Sequence, residues 1–576
     1  MATTKPRDVQ VFPVATDTTV LRSRSWTRLK FEIEYGLQRG TTANSYLIRG
    51  DKTVLLDPPG ETFTELFLSA LQERFDLTTL DYVVMSRVNP NRCATLKALV
   101  ALAPQVAIVA SNPGAIVLKE NVPDLTQRVQ TIRGDDSLDL GQGHVLQFIP
   151  TSNPRWPTSL CTFDTATQLL FSDKFFGAHI CGDQVFDEGF QSIQEDRKYY
   201  FDCLMAPNAR QVDATLDKLA EYPAQIYATG HGPLVKYGRL DLTQAYRTWS
   251  QTQKAQELAV ALLFASAYGN TTTLAQAIAR GVTKAGVRVE SINCEVATPE
   301  EIQVAVEKAD GFIIGSPTLG GHAPTQVQTA LGIVMTSATK IKLAGVFGSY
   351  GWSGEAIDLL ETKLKDAGFQ FGFDPIRVKF KPTAATLQLC EEAGTDFAQT
   401  LKKTKKVRQS RQKVSLESQV DPTAQAVGRL VGSLCVVTAM QEDARSAMLA
   451  DWVAQATFSP PGITVAVAKD RAIESLLHRD NGFVLNILGE GKHLGLMKHF
   501  LKPFSPGEDR FVGVETETAA NGCPILKDAV AYLSCRVENR MDCSDHWLVY
   551  AVVEGGSVLD ATNLTAIHHR KSGNHY

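Results

Sequence analysis

The stretch Ser266–Thr271 constrains the fold more than any other part of this 576-residue chain. It reads Ser-Ala-Tyr-Gly-Asn-Thr, follows directly on the apolar run Leu258–Ala265 and precedes the helical pattern Leu274–Val282. Backbone N–H groups at a helix N-terminus, together with Ser and Thr hydroxyls, form an anion site that the helix dipole favours. The segment therefore predicts a buried strand, a phosphate-binding turn and a helix. An ordinary capped turn between strand and helix is the alternative.

Two more polar, glycine-bearing loops follow predicted strands in the same region. The strand Gly311–Gly315 leads into Ser316–Gly321, and the strand Leu343–Phe347 leads into Gly348–Gly354. In an open parallel α/β sheet, ligands lie across the carboxyl ends of the strands at the switch point. The three loops therefore predict one site, in which the first loop holds a phosphate and aromatic residues of the last flank a flat ring.

This arrangement resembles the flavodoxins over roughly residues 255–400, and the resemblance implies a bound FMN. Five residues of the first loop would hold the phosphate: Ser266, Tyr268, Gly269, Asn270 and Thr271. The other two loops would border the isoalloxazine ring through Ser316, Pro317, Thr318, Leu319 and Gly320, and through Gly348, Ser349, Tyr350, Gly351 and Trp352.

Composition limits the other classes of function. The 58 basic and 62 acidic side chains nearly cancel, which argues against a nucleic-acid partner. No apolar run reaches the roughly 18 to 20 residues of a membrane span, and the first residues lack the apolar core of a secretory signal. Ten cysteines at irregular spacing are typical of reduced thiols. We expect a cytoplasmic protein without integral membrane association.

The chain is long enough for about three or four domains. Strand-like and helical patterns alternate over residues 10–250, the flavodoxin-like block covers 255–400, and a third block covers 424–576. The basic run Leu401–Lys413 indicates a solvated linker over residues 401–423, with a cationic interaction arm as the alternative.

The first block resembles the metallo-β-lactamase fold, an αββα sandwich that carries metal at one edge. The resemblance lies in Leu21–Trp26, Thr41–Ile48 and Val54–Gly60. Set beside the flavodoxin-like block, it is similar to the flavodiiron proteins, which reduce oxygen or nitric oxide at a two-iron site. That family carries a loop of the form His-x-Glu-x-Asp-His after a strand of the type Tyr82–Met85.

The residues that match this ligand set are mostly of the wrong chemical type. Arginines replace histidines, asparagines replace carboxylates and a lysine stands in the segment of the bridging aspartate; the positions are Arg87, Asn89, Asn91, Arg92, Arg155 and Lys174. A shift of one residue would put Asp173 in place of Lys174, and His231 alone is retained as a plausible ligand.

A guanidinium has no acceptor atom and keeps its proton in proteins, so it cannot bind a cation. We therefore expect no diiron centre, and a pocket crowded with positive charge that needs nearby carboxylates, water or an anion. The alternative is that these cations are unrelated surface charges. The lone histidines His179 and His322 indicate structural roles.

The third block predicts a small barrel, because short β-rich runs such as Val431–Ala439, Gly462–Ala468 and Gly482–Leu488 alternate with turn residues. It resembles the flavin-reductase split barrels. The resemblance implies a second flavin, FMN or FAD, near Thr457, Ser459 and Asn486, with NADH or NADPH as the electron donor. The closing segment, residues 568–576, matches that family's terminus, with a metal site as the alternative.

The three blocks together resemble the class C flavodiiron proteins of oxygenic phototrophs, of the cyanobacterial type, in the variant that lacks the usual diiron ligands. The resemblance implies a redox subunit of an NAD(P)H:oxygen oxidoreductase, a photoprotective electron sink that reduces O2 to water. It implies a homodimer, or a hetero-oligomer with a metal-competent paralogue that receives the electrons. The alternatives are a structural or regulatory subunit with an inert anion-binding pocket, and a stand-alone NAD(P)H:flavin reductase.

Overall fold

The computed structural model describes residues 6–26, 39–134, 136–412, 422–491 and 493–570. The chain divides into two compact units, Met1–Ala255 and Gln256–Tyr576. Residues 413–421 of the predicted linker and 571–576 of the closing segment lie outside the described residues.

The first unit contains two sheets and helices. Its strands are β1 (Asp8–Ala15), β2 (Thr18–Ser25), β3 (Thr41–Arg49), β4 (Thr53–Leu56), β5 (Tyr82–Met85), β6 (Ala107–Ser111), β7 (Val129–Ile132), β8 (Ser137–Gly141), β9 (His144–Pro150), β10 (Leu160–Asp164), β11 (Leu169–Asp173) and β12 (Ile226–Thr229). Its α-helices are α1 (Thr64–Gln72), α2 (Pro90–Leu102), α3 (Asn112–Asn121), α4 (Gln194–Leu204), α5 (Ala209–Leu219) and α6 (Arg239–Lys254).

The two sheets pack face to face. One has the order β1-β2-β3-β4-β5-β6-β7 and the other the order β12-β11-β10-β9-β8. Tyr46 and Ile48 of β3 point into the core between the sheets, whereas Leu47 points to the outer core formed with α1 and α2. A second outer core joins the other sheet to α4, α5 and α6. This layering confirms the predicted αββα sandwich, and it explains why β3 is buried on both faces.

The second unit begins with a parallel sheet and ends with an antiparallel barrel. Its strands are β13 (Ala259–Phe264), β14 (Arg288–Asn293), β15 (Gly311–Pro317), β16 (Leu343–Tyr350), β17 (Gln370–Phe371), β18 (Ile376–Lys379), β19 (Gly432–Ser433), β20 (Cys435–Gln441), β21 (Ala444–Ala450), β22 (Val453–Phe458), β23 (Pro461–Ala468), β24 (Gly482–Leu488), β25 (Thr516–Thr518), β26 (Pro524–Leu526), β27 (Ala529–Cys543), β28 (His546–Val558) and β29 (Ile567–His568). Its α-helices are α7 (Asn270–Lys284), α8 (Pro299–Lys308), α9 (Thr325–Ser337), α10 (Glu355–Asp366), α11 (Ala384–Gln412), α12 (Pro422–Val427) and α13 (His493–Leu501).

The parallel sheet has the order β14-β13-β15-β16-β17, with β18 also paired to β16. This is the doubly wound order with the switch point between β13 and β15, and it confirms the flavodoxin-like prediction. The strands β15 and β16 run further than the sequence predicts, because Ser316 and Pro317 pair in register with Gly348 and Ser349. Gly348 permits this pairing, since a Cβ there would lie 2.2 Å from the carbonyl oxygen of Ser316.

The barrel has the antiparallel order β21-β20-β24-β27-β28-β23-β22, as predicted for the third block. Val437, Val465 and Leu485 are among the buried residues of its core. The helix α11 runs from the parallel sheet into the predicted linker, so residues 401–412 are helical. The two blocks that the sequence separates belong to one compact unit, while the exact domain boundaries stay a prediction.

Candidate functional site

The first predicted loop has the local geometry of an anion site. Strand β13 ends at Phe264, and α7 begins at Asn270 after Gly269, which has a φ of 81°. That left-handed conformation suits glycine, because an L side chain would be strained there. The Oγ of Ser266 accepts a hydrogen bond from the N–H of Thr272 at 3.2 Å, so the loop folds back over the helix N-terminus.

Hydrogen bonds hold the three loops against one another. The hydroxyls of Thr271 and Ser349 lie 2.8 Å apart, and both side chains are buried. The N–H of Thr318 donates to the carbonyl oxygen of Ser349 at 2.9 Å. The loops therefore meet at the carboxyl edge of the sheet, where the sequence places the FMN site.

The residues that face outward around this edge fit a flat, phosphate-bearing ligand. Tyr268 is 86% exposed and Trp352 is 91% exposed, although both are large aromatic side chains. Within the part of the chain that the structure describes, the buried Oγ1 of Thr318 has no hydrogen-bond partner. The exposed aromatic rings would stack on the flat ring of a flavin. The helix N-terminus and the unpaired hydroxyl would bind its phosphate or polar edge. The individual contacts of the predicted residues stay predictions.

In the first unit, four residues around the predicted degenerate metal site form a buried ion-pair network. The guanidinium of Arg92 donates to Asp57 at 2.7 Å and to Asp173 at 3.0 Å. The Nε of Arg87 donates to the other oxygen of Asp173 at 3.1 Å. All four side chains are at least nine-tenths buried. The expected crowding of positive charge is thus offset by two carboxylates.

Both ring nitrogens of His231, the predicted metal ligand, form hydrogen bonds within the protein. Its Nδ1 lies 2.6 Å from the carbonyl oxygen of Thr42, so Nδ1 carries the proton and donates. Its Nε2 lies 2.7 Å from the ammonium Nζ of Lys174, which has only protons to offer. Nε2 therefore accepts a hydrogen bond from Lys174, and the lone pair that would bind iron is used in this hydrogen bond.

The loop that carries His231 is fixed by its neighbours. It follows β12, and the N–H of Gly230 donates to the backbone carbonyl of Asp173 at 2.7 Å. The N–H of Gly232 donates to the hydroxyl of Thr42 at 2.8 Å. Gly232 has a φ of 76°, and a Cβ there would lie 2.5 Å from the carbonyl oxygen of Ala178. The position of the imidazole is therefore determined by backbone contacts.

The asparagines predicted to replace carboxylate ligands accept hydrogen bonds from backbone N–H groups. The side chain of Asn89 caps α2 by accepting from the N–H of Arg92 at 2.8 Å. The side chain of Asn91 accepts from the N–H of Glu61 at 3.0 Å. The third arginine, Arg155, donates to the carbonyl oxygen of Cys203 at 3.3 Å and lies 4.8 Å from the ring centre of Trp156.

Burial and charge push the pKa values of the two aspartates apart. Burial raises the pKa of Asp57, and the charge of Asp173 adds to this effect, while Arg92 offsets part of it. Burial also acts to raise the pKa of Asp173, but Arg92, Arg87 and Lys174 outweigh it and leave that pKa well below its ordinary value. Asp173 is therefore the carboxylate on which the cations converge.

One member of this pocket is missing from the predicted site residues. Asp57 lies in the segment Val54–Gly60 that carries the resemblance to the metallo-β-lactamase fold, but its partner Arg92 is 35 residues away in the chain. His179, predicted to be a structural histidine, accepts or donates at Nδ1 with the hydroxyl of Thr41 at 2.7 Å, and its ring centre lies 4.8 Å from that of His231. The Asp-Pro pair that ends the fourth strand is the one local signal for Asp57.

This donor set does not fit a pair of iron ions. Lys174 occupies the Nε2 of His231, two arginines occupy the carboxylates, and an ammonium or guanidinium repels a divalent cation. Among the described residues, no group of three or more His, Cys, Asp or Glu side chains has a metal-binding arrangement. The absence of iron from the protein itself stays a prediction.

The residues predicted to hold a second flavin lie in different parts of the barrel. Thr457, near the end of β22, donates to the carbonyl oxygen of Pro460 at 2.8 Å, and Ser459 lies in the turn between β22 and β23. Asn486 is buried in β24. Its amide donates to the carbonyl oxygen of Val436 at 3.2 Å and its oxygen accepts from the N–H of Leu526 at 2.8 Å. Its hydrogen bonds therefore stabilise the barrel, and its contact with flavin stays a prediction.

Three family models match the chain in the order in which the folds occur. The family of ODP beta lactamases matches residues 41–232, the flavodoxin family matches 262–394, and the flavin reductase-like domain matches 427–574. A sandwich, a flavin-binding parallel sheet and a flavin-reductase barrel in one chain define a flavoprotein oxidoreductase of the flavodiiron class.

Relatives of the same length share the whole arrangement. Diflavin flavoprotein A 6 of Nostoc sp. (strain PCC 7120) is 67% identical over 100% of both chains. Diflavin flavoprotein A 3 of Synechocystis sp. (strain PCC 6803) is 64% identical over 99% of this chain and 96% of the relative. The solved metal-soaked Flv1 flavodiiron core from Synechocystis sp. PCC6803 is 63% identical over 69% of this chain and 100% of that chain, with a TM-score of 0.68. This chain belongs to the diflavin flavoprotein A family of cyanobacterial flavodiiron proteins.

Among the helices of the described residues, none combines the length and apolar character needed to cross a bilayer.

Proposed function

We propose that this chain is the electron-delivering subunit of an NAD(P)H:oxygen oxidoreductase that reduces O2 to water as a photosynthetic electron sink. Electrons enter from NADH or NADPH at the reductase barrel, reach the flavodoxin domain and leave for the iron pair of a metal-bearing partner of the same family. Two NAD(P)H, one O2 and two protons give two NAD(P)+ and two waters. One observation carries the proposal: the flavin loops are intact, whereas Lys174 engages the lone pair of His231.

The chain's own residues bind and orient the flavin in this scheme. The hydroxyls of Ser266 and Thr271, with Tyr268 and the first N–H groups of α7, would hold the phosphate, while Tyr350 and Trp352 would flank the ring. The bound FMN supplies the ability to take up electrons in pairs and release them singly.

Oxygen uptake by mixtures tests this function. The chain would be titrated with a metal-bearing member of the family, with NADH and with NADPH, in an oxygen electrode. The proposal predicts uptake above the sum of the two separate proteins, with a maximum at a fixed ratio. A mixture that never exceeds this sum, at any ratio and with either donor, contradicts it.

A structural or regulatory role is the second candidate, and the buried network of Arg87, Arg92, Asp57 and Asp173 favours it. A pocket filled by ion pairs could stabilise a complex without catalysing a reaction. Replacing Ser266 by Ala and Thr271 by Val separates the two functions. Complex formation would survive in both cases, but NAD(P)H-dependent oxygen uptake by the complex would fall only if this chain delivers electrons.

A stand-alone NAD(P)H:flavin reductase would instead produce hydrogen peroxide from one NAD(P)H, one O2 and one proton. A peroxide assay in the same titration distinguishes this reaction. If one hydrogen peroxide formed for each NAD(P)H consumed, with or without the partner, the protein would be a flavin reductase and the proposed function would be wrong.

A further inference from the structure

We infer that a buried ion cluster formed by Arg280, Lys284, Glu391, Glu474 and Arg540 fixes the flavodoxin sheet on the reductase barrel and so sets the rate of electron transfer between them. The inference rests on the proposed function, because it assumes that electrons pass from the barrel to the flavodoxin domain. Its geometric part, a fixed register between the two domains, is testable without turnover.

Glu474 is the centre of this cluster. It lies in the short 3₁₀ helix Ala472–Leu476 against the barrel and is 4% exposed. One of its carboxylate oxygens accepts from Arg540 of β27 at 3.1 Å, and the other accepts from Arg280 of α7 at 3.3 Å. One buried carboxylate thus joins a barrel strand to the helix that begins at the FMN loop.

Glu391 of α11 makes the second half of the cluster. Its carboxylate accepts from Arg280 at 2.5 Å and also from Lys284, whose ammonium lies 3.8 Å from Glu474. Burial acts to raise the pKa of Glu474, but Arg280, Arg540 and Lys284 outweigh it and hold that pKa well below its ordinary value. The Glu474 carboxylate is therefore charged and shared between a cation of the barrel and cations of α7, whereas Glu391 bonds the two cations of α7.

The backbones of α7 and α11 approach too closely for side chains to intervene. A Cβ at Gly281 would lie 1.9 Å from the carbonyl oxygen of Glu391, and a Cβ at Gly394 would lie 2.1 Å from that of Ile278. The two helices therefore behave as one body. Arg280 is ten residues after Asn270, about 15 Å along α7, so a shift at the cluster moves the FMN loop with it.

Packing elsewhere in this interface is not continuous. The adjacent residue of α11, Glu392, accepts from Arg510 at 3.1 Å and from the N–H of Gly507 at 2.9 Å. Beside it lies a cavity of about 430 Å³, lined by Asp396 of the helix and Phe504 of the barrel among others. A gap of this size reduces the apolar contact between α11 and the barrel, so the ion pairs carry a larger share of the register.

The step that this register controls is an exchange between two flavins. When bound, the two flavins would supply a two-electron exchange in which the barrel flavin is oxidised, the flavodoxin flavin is reduced and protons exchange with solvent. The cluster would fix the distance and orientation between the two sites. Glu474 and Glu391 belong to neither of the predicted flavin sites, so they are positioning residues.

The test uses the full chain loaded with flavin. Glu474→Gln keeps the shape but removes the central charge, and Lys284→Met at the rim is a milder variant in case the first fails to fold. Glu517→Gln, an exposed glutamate of the same domain, is the matched control. Flavin per chain should be unchanged in all three variants.

Hydrogen exchange measures how often the elements joined by the cluster open locally, and so tests whether the cluster holds them together. Amides of the last turns of α7 and of Ala472–Leu476 should exchange at least about tenfold faster in Glu474→Gln, or in Lys284→Met, than in wild type and Glu517→Gln. Unchanged exchange in a folded variant overturns the inference, whether or not the protein accepts electrons from a nicotinamide.

Anaerobic stopped-flow reduction measures the consequence. The first phase, reduction of the barrel flavin by NAD(P)H, should stay within about twofold of wild type, and the second phase should be at least about tenfold slower. Equal second phases overturn the positioning role. If wild type shows no reduction by either nicotinamide, the proposed function fails, and the exchange result alone decides the register.

Discussion

The ammonium of Lys174 lies 2.7 Å from Nε2 of His231, the one histidine that the sequence predicts as a retained metal ligand. The other ring nitrogen of His231 donates to the carbonyl oxygen of Thr42. Both nitrogens of the imidazole are therefore used within the protein. The pocket around these residues is a network of buried ion pairs, and the predictions below concern that network.

Arg92 should be the residue on which the stability of this pocket depends most. Its replacement by Met leaves Asp57 and Asp173 buried with their main partner removed, which should cost about 3 to 5 kcal/mol in the free energy of unfolding. Urea unfolding of the first unit, followed by tryptophan fluorescence, measures the loss. Arg155→Met is the control and should cost less, about 1 kcal/mol, because the Arg155 side chain is partly exposed, whereas Arg92 is buried between two carboxylates. Equal costs would contradict the network.

The two aspartates should differ when each is replaced by Asn. Asp173→Asn removes the charge that three cations share and should cost about 3 kcal/mol or more at neutral pH. Asp57→Asn keeps an acceptor for Arg92 and removes the repulsion from Asp173, so it should cost about 1 kcal/mol or less. Thermal unfolding at pH 7 compares them. A larger loss for Asp57→Asn would show that the pKa directions are reversed.

The loss caused by Asp173→Asn should depend on pH. Because the folded pKa of Asp173 is lowered, its ionised form stabilises the fold fully above the ordinary pKa of about 3.9. That contribution disappears as the pH falls from there towards the lower folded pKa. The difference in unfolding free energy between wild type and Asp173→Asn should therefore be constant from neutral pH to about pH 5 and shrink below about pH 4. A difference that grows with acidity would have the wrong sign.

The hydroxyl of Thr271 should contribute to FMN affinity. In the proposed site the Thr271 hydroxyl, which lies 2.8 Å from that of Ser349, would also bond the phosphate. Replacing Thr271 by Val would remove this bond to a charged group, worth about 1.5 to 3 kcal/mol, and should weaken FMN binding by roughly 10-fold to 100-fold. Fluorescence titration of the apoprotein with FMN measures this. Thr336→Val, which changes an exposed hydroxyl bonded to its own helix, should leave the affinity unchanged. Equal affinities for both variants would remove Thr271 from the site.

Lys342 should stabilise the flavodoxin sheet through a helix end. Its ammonium donates to the carbonyl oxygens of Val306, Glu307 and Ala309 at 2.7, 2.7 and 2.6 Å, at the C-terminus of α8. Lys342→Met leaves these carbonyls without the cation and should cost about 1 to 3 kcal/mol by urea unfolding of the second unit. The exposed Lys308, on the same helix end, is the control, and Lys308→Met should have little effect.

The strands could be predicted from the sequence because buried runs between turn residues carry a strong local signal. Strand β5 begins and ends at the predicted Tyr82 and Met85, and β24 covers the predicted Gly482–Leu488. The predicted C-terminal ends of β15 and β16 are wrong by two and three residues. Ser316 and Ser349 look like loop residues, but Ser316 pairs with Gly348 and Ser349 pairs with Pro317 in the sheet.

The network of the pocket could be predicted only in part. The cationic residues were recognisable because each stands in a motif with a known ligand pattern, and both Asp173 and Lys174, the two alternatives for one position, lie buried in the pocket. Asp57 was missed because nothing in its local sequence shows that Arg92 folds against it. The cluster around Glu474 was missed for the same reason, since its partners lie on α7, α11 and β27.

Elemental analysis with flavin quantitation on protein produced in iron-rich medium tests the central claim most directly. With Lys174 on His231 and arginines on both aspartates, the purified chain should contain FMN in its flavodoxin domain and iron far below one atom per chain. A content close to two irons per chain, held after dialysis against a chelator, would contradict the account.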